Sequence, residues 1–116
     1  MKIDRIRKTK DFQDVFKNGK KFRGKLFSLY AWKGAGSSET AAGAAVAKKF
    51  ARTAVKRNYI KRAVYTVFRG RSGDMQRGVK IVVRLSCGVK DIKKRTLSKE
   101  IRKDIEELLL KAGIIQ

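Results

Sequence analysis

Histidine is missing from this 116-residue sequence, and with it go the Ser-His and Cys-His nucleophile pairs and the usual zinc sites. Any reaction run by this chain alone would rest on carboxylates, lysine or tyrosine. Cysteine occurs once, at Cys87, so no internal disulfide can form and no second thiolate is at hand for a structural zinc, which suits a reducing compartment. It reads as a small filler residue near a strand end. No run of about 18 apolar residues exists to span a bilayer, and the amino terminus lacks the apolar core of a signal peptide. A soluble, cytoplasmic protein without a membrane partner is expected.

Acid is scarce as well. Ten Asp and Glu stand against 31 Lys and Arg, a formal charge of +21. Such a chain repels itself when free, so a polyanionic partner is expected, nucleic acid first. A metal-dependent nuclease would need carboxylates that converge on divalent ions. Asp11 with Asp14, and Glu100 with Asp104 and Glu107, have helical spacing, but they read as surface charges that trim the net charge and pair with Lys99 or Lys103. Gly34 with Gly36, and Gly70 with Gly73, lack the Lys-Ser/Thr ending of a phosphate loop, so no nucleotide pocket and no small-molecule substrate is expected. The length suits one domain, residues 1–116, with one core.

What the chain does have is a basic helix in residues 48–69. Ile60, Ala63, Val64, Val67 and Phe68 recur at three- and four-residue spacing and form one apolar side. At about 100° per residue, Asn58, Lys61, Arg62, Tyr65 and Arg69 fall within an arc of roughly 100° on the opposite side, with Arg57 at its border. The spacing predicts a docked helix that holds cations and an amide in front of a polyanion. Arginine forks and Asn58 suit phosphate and ribose oxygens, and nothing in the set selects a base sequence, so folded RNA read by shape and backbone is the expected ligand.

Around it, residues 1–8 read as an extended basic lead-in anchored by Ile3 and Ile6. Thr9 is the expected N-cap of a first helix that Asn18-Gly19 stops, with Phe12, Val15 and Phe16 as its stripe. Residues 22–32 switch to period two and read as one strand, Phe27 and Leu29 on one face, Leu26, Ser28, Tyr30 and Trp32 on the other. Residues 33–40 read as a flexible turn, and 41–47 as a strand pairing back as a hairpin. Residues 69–78 form a glycine- and arginine-rich loop. Residues 79–85 have the β-branched composition of a central strand, which completes a βαβ unit through the basic helix. After a second basic loop, 86–96, a last helix begins near Leu97 or Ser98. Leu97, Ile101, Ile105, Leu108, Leu109 and Ala112 line its core face, and Gly113 ends it. Its acids make it the helix least suited to a polyanion.

Three motifs in this order carry a resemblance. Asp11-Phe12-Gln13-Asp14-Val15-Phe16-Lys17-Asn18-Gly19, then Val46-Ala47-Lys48-Lys49, then Ala54-Val55-Lys56-Arg57-Asn58-Tyr59-Ile60-Lys61-Arg62 resemble the protein subunit of bacterial ribonuclease P, the last being the most specific. Tyr30 falls at an aromatic strand position of that family. The resemblance implies an α+β fold, a two-layer α/β sandwich in the order α-β-β-β-α-β-α, with a left-handed βαβ crossover where the general rule predicts a right-handed one. It implies an accessory subunit of an endoribonuclease whose catalytic RNA binds magnesium and removes the 5′ leader of precursor tRNA. Carried over by position, Lys48, Lys49, Arg52, Arg57, Asn58, Lys61 and Arg62 contact the RNA subunit, with Lys56 and Arg69 supplying further charge. Phe12, Phe16 and Tyr30 line a leader cleft between the signature helix and the sheet. Tyr59 and Tyr65 stand where the family usually has arginine; stacking or a hydroxyl hydrogen bond would partly replace the lost phosphate contacts, with a shallower salt dependence. A ribosomal or general RNA-binding protein is the rival reading, and an independent metal nuclease the third.

Overall fold

The computed structural model describes residues 3–33, 40–90 and 92–115. The turn expected over 33–40 therefore falls mostly outside the described residues. The alternating segments pair into one five-stranded sheet: β1 (Asp4–Arg5), β2 (Lys20–Arg23), β3 (Phe27–Lys33), β4 (Ala41–Ala45) and β5 (Val79–Leu85), in the order β1-β4-β5-β3-β2. Helices α1 (Thr9–Asn18), α2 (Ala54–Gly70) and α3 (Lys94–Lys111) complete the fold. From α1 onward the order is the α-β-β-β-α-β-α expected; the lead-in adds β1, a short strand laid parallel on β4.

The β-branched strand β5 is central, parallel to β4 and antiparallel to β3. Its position corrects the expected hairpin, because β5 inserts between β3 and β4. Residues 22–32 are likewise two strands. The chain turns back at residues 24–26, so that Phe22 pairs with Leu29 and Lys20 with Ala31. This turn is held by Asp104 of α3, whose carboxylate accepts the backbone N–H groups of Lys25 at 2.8 Å, Leu26 at 3.0 Å and Phe27 at 2.9 Å. Asp104 is thus a buried structural acid, 4% exposed, and not the surface charge its spacing suggested. Glu107 is exposed as expected, whereas Glu100 is half-buried and pairs with Lys25 rather than with Lys99 or Lys103; Glu106 pairs with Arg71. The hydrogen bond to Glu106, then that carboxylate's charge, raises the Arg71 guanidinium above its ordinary pKa.

Side chains alternate across a strand, and this divides the core. Phe27, Leu29, Ile81 and Val83 face α2 and α3 and pack with Ile60, Val64, Phe68, Ile101, Ile105 and Leu109. Tyr30 and Val82 face the other way and pack with Ile6, Val15 and the half-buried Phe12, Phe16 and Trp32 of the α1 side. Helix α3 begins three residues earlier than its apolar pattern suggested, at Lys94. It ends in a closed cap: the N–H of Gly113 donates to the Leu110 carbonyl and that of Ile114 to the Leu109 carbonyl, while Gly113 takes φ +73°, which favours glycine. Thr9 is the first helical residue of α1, and Lys8 precedes it without a side-chain cap.

Candidate nucleic-acid interface

Helix α2 is anchored by burial. Ile60 and Val64 have no exposed surface, and Val67 and Phe68 are nearly as deep, so each contributes about 2 kcal/mol of apolar burial to keeping the helix in place. Thr53 starts it, its hydroxyl accepting the N–H of Lys56 at 3.1 Å. No acid occupies the first turn; Lys56 and Arg57 sit there instead. Cations at the positive end of a helix dipole are locally unfavourable, by about 0.3–1 kcal/mol each at the surface, and together with the dipole they strengthen the field an anion would meet.

Lys48, Lys49 and Arg52 are exposed on the turn leading into α2, and Asn58, Arg62 and Arg69 are exposed along it. Lys56, Arg57 and Lys61 are partly covered. None of these cations pairs with an acid among the described residues, whose ion pairs are Lys25–Glu100, Arg71–Asp74, Arg71–Glu106 and Arg102–Glu106. Arg57 also braces the backbone, its Nη1 donating to the Ala51 carbonyl at 2.9 Å and the Arg52 carbonyl at 3.0 Å. It thereby ties the basic turn to the helix.

The two tyrosines are turned toward the protein. Tyr59 donates its hydroxyl hydrogen to the Lys94 carbonyl at 3.0 Å, and the Lys94 ammonium lies 4.8 Å from its ring centroid. Tyr65, expected on the outward arc, is half-buried at the sheet edge. Its hydroxyl accepts the Ala44 N–H at 3.2 Å, beyond the point where β1 stops pairing with β4, and the Arg5 guanidinium covers its ring at 3.9 Å. Ala44 is buried although its strand edge has no strand partner at this point, and a buried donor left without an acceptor is costly, which gives Tyr65 a structural reason to leave the basic face.

Phe12, Phe16 and Tyr30 come together as expected, but on the sheet face opposite α2. The groove therefore lies between α1 and the sheet, not between the signature helix and the sheet, because Tyr30 alternates with Leu29 along β3 and only Leu29 faces α2. Phe16 meets Tyr30 edge to face, with centroids 4.9 Å apart. Tyr30 is 8% exposed, so Phe12 and Phe16 carry the accessible ring surface. Gly43 makes the close approach of α1 feasible: a Cβ there would stand 2.9 Å from Phe12 Cε1 and 3.0 Å from Ile6 Cβ.

One residue that the sequence pattern did not single out sits in this groove. Arg84 of β5 donates from Nη2 to the Tyr30 hydroxyl at 2.9 Å, and its guanidinium lies 5.1 Å from the Phe16 centroid and 5.3 Å from that of Tyr30. The period-two placement of Lys80 and Arg84 around Val82 was the available signal. From Arg84 a depression of about 670 Å³, lined by Lys21, Ser28, Lys49 and Ser86 among others, leads to the turn before α2. The aromatic groove and the basic turn are thus joined around the end of the sheet. Cys87 lines the same depression, half-buried just past β5. Among the described residues no three acids, cysteines or histidines converge to hold a metal.

An α+β scaffold that leaves one helix's cations without acid partners, beside an aromatic groove, defines a protein suited to a ribose-phosphate polymer. The chain belongs to the ribonuclease P protein family, matching it over residues 1–112. It is 36% identical to the ribonuclease P protein component of Clostridium botulinum, over 98% of each chain. It is 30% identical to that of Pseudanabaena sp., over 97% of this chain and 93% of the other. Among solved structures, the Staphylococcus aureus RNase P protein superposes with a TM-score of 0.84 at 28% identity, covering 99% of this chain and all of that one. The Thermotoga maritima RNase P protein gives 0.79 at 30% identity, over 93% and 96%.

Proposed function

We propose that this protein is the accessory subunit of a ribonucleoprotein endonuclease, assisting a catalytic RNA in removing the 5′ leader from precursor tRNA in the cytoplasm. The observation that carries the reading is the set of cations on α2 and its leading turn, held by a buried apolar stripe and without acid partners among the described residues. In this reading Lys48, Lys49, Arg52, Lys56, Asn58, Lys61, Arg62 and Arg69 meet phosphate and ribose oxygens of the RNA subunit, and Arg57 contributes what its turn-holding bonds leave free. They screen phosphate repulsion where two RNAs approach. Phe12 and Phe16, backed by Tyr30, receive unstacked leader bases on the other face of the sheet. The whole chain acts as one RNA-binding domain.

Magnesium belongs to the RNA in this scheme. The described part of the chain offers no converging carboxylates for it: Asp104 is committed to three backbone donors, and Glu100 and Glu106 to cations. The chain's own residues bind and orient; they move no proton and form no bond to substrate.

The test is magnesium-dependent cleavage of a precursor tRNA by a matching catalytic RNA, with and without the protein. The protein should raise turnover or substrate affinity, and Lys61→Glu with Arg62→Glu should abolish that gain while the far-ultraviolet spectrum stays native. No gain from the wild-type protein would favour a general RNA-binding role, and cleavage by the protein alone would favour an independent nuclease.

A further inference from the structure

Arg84 lies on the central strand, on the sheet face that α1 only partly covers, where its neighbour two residues back is the fully buried Val82. Its side chain is exposed and pairs with no acid among the described residues, a setting in which an arginine ordinarily keeps its rotamer freedom in water. Instead it is held in a defined pose. One guanidinium nitrogen is fixed on the Tyr30 hydroxyl, and the group rests near the Phe16 and Tyr30 rings, as cation–π geometry favours. Of the five N–H donors of an arginine, this pose uses one on the protein. The Ser28 and Ser86 hydroxyls, bonded to each other at 2.9 Å, line the adjoining depression together with Lys21 and Lys49.

We propose that Arg84 is a specificity-determining residue of the aromatic groove, binding a backbone phosphate of the single-stranded RNA segment whose base lies against Phe16. The inference rests on the leader-groove reading above and adds to it the residue that distinguishes a strand carrying a phosphodiester at that point from one that ends before it. Stacking tolerates any base because every base has a π-face. A fixed guanidinium recognises the charge between bases, with two donors in a fork that matches two phosphate oxygens. The hydrogen bond to Tyr30 sets the fork's direction, so lysine at this position would keep the charge and lose the geometry. Beyond Arg84 the strand would run along the depression toward Lys21 and Lys49, which extends the phosphate path to the turn before α2.

The experiment uses the holoenzyme assembled with its catalytic RNA and compares equilibrium binding of precursor tRNA with that of mature tRNA across a salt series. Arg84→Ala should weaken precursor about tenfold, the scale of one charge-assisted hydrogen-bond contact, and leave mature tRNA unchanged. The slope of log affinity against log salt for precursor should fall by about 0.7, the value for one single-strand phosphate. Arg84→Lys should restore the slope but only part of the affinity, and both variants should melt as the wild type does. Unchanged precursor binding in Arg84→Ala, or equal losses for precursor and mature tRNA, would overturn the proposal. Phe16→Ala in the same series separates the two ideas: selective loss of precursor in that variant, with none in Arg84→Ala, removes Arg84 and keeps the groove. No selective loss in either removes both.

Discussion

Replacing Asp104 by alanine should be among the most damaging single changes in this protein, although the residue touches no proposed RNA contact. Its carboxylate is 4% exposed and accepts three backbone N–H groups at 2.8–3.0 Å, two of them buried. Those donors belong to residues 25–27, where β2 turns into β3. A buried donor left unsatisfied costs about 1–3 kcal/mol. Relief of the carboxylate's own desolvation offsets part of the sum, and the three bonds are not additive. The expected loss is therefore about 3–5 kcal/mol, a large share of the ~5–15 kcal/mol that holds a domain together. At about 4–6 °C per kcal/mol for a chain of this size, the midpoint should fall by roughly 12–30 °C. Asp104→Asn keeps the size and one acceptor but turns an amide N–H toward the donors, and should recover less than half of the loss. Urea unfolding gives the comparison directly: the midpoint should move with an unchanged denaturant slope. A loss below about 1 kcal/mol in the alanine variant would refute the account of the turn.

Two further outcomes follow from packing. Gly43→Ala should lift α1, since the new Cβ would stand 2.9 Å from the Phe12 ring. Overpacking of this kind costs about 1–3 kcal/mol, and binding of leader-bearing precursor should weaken more than binding of mature tRNA; equal effects would mean α1 is not part of the leader groove. Ile60→Ala, at a site with no exposed surface, should cost about 2–5 kcal/mol. Where the variant is still folded its salt dependence of RNA binding should match the wild type, and a changed slope would show that Ile60 does more than anchor the helix.

The sequence revealed elements best where a local period met a buried face. The stripe Ile60, Val64, Val67, Phe68 and the stripe Leu97, Ile101, Ile105, Leu108, Leu109, Ala112 are buried as their spacing required, while Ala63 of the first stripe is half-buried. The β-branched run of β5 is central. Pairing was harder to read because it is not local. Residues 24–26 contain a single glycine, too weak a turn signal to split residues 22–32, and what closes that turn is a carboxylate 79 positions away. The same distance hid Asp104, which in one dimension looks like its exposed neighbour Glu107. For β4, small side chains marked a strand but carried no information about its partner; β5 takes that place because the chain first crosses through α2. Within the candidate site the cations were legible by composition. The sidedness of the aromatic groove was not, because it depends on which face of β3 the helices cover, and both faces carry apolar area.

The distribution of acid gives the basic surface its direction. Glu100, Glu106 and Glu107 lie on α3 and Asp74 on the turn after α2, and every ion pair among the described residues is formed there or at Lys25. Had the same acids been interleaved along α2, at the three- and four-residue spacing that makes helix ion pairs, the helix would be slightly more stable and its field toward an RNA largely cancelled. Exposed pairs contribute only about 0–1 kcal/mol each, so little stability is lost by omitting them, whereas each uncancelled cation adds to the counterions released on binding. The apolar stripe makes this arrangement tolerable: burial of Ile60, Val64, Val67 and Phe68 stabilises α2 by more than its unfavourable first-turn charges cost. Core packing and polyanion affinity are therefore coupled through one helix, and weakening the stripe should loosen the cations before it changes their number.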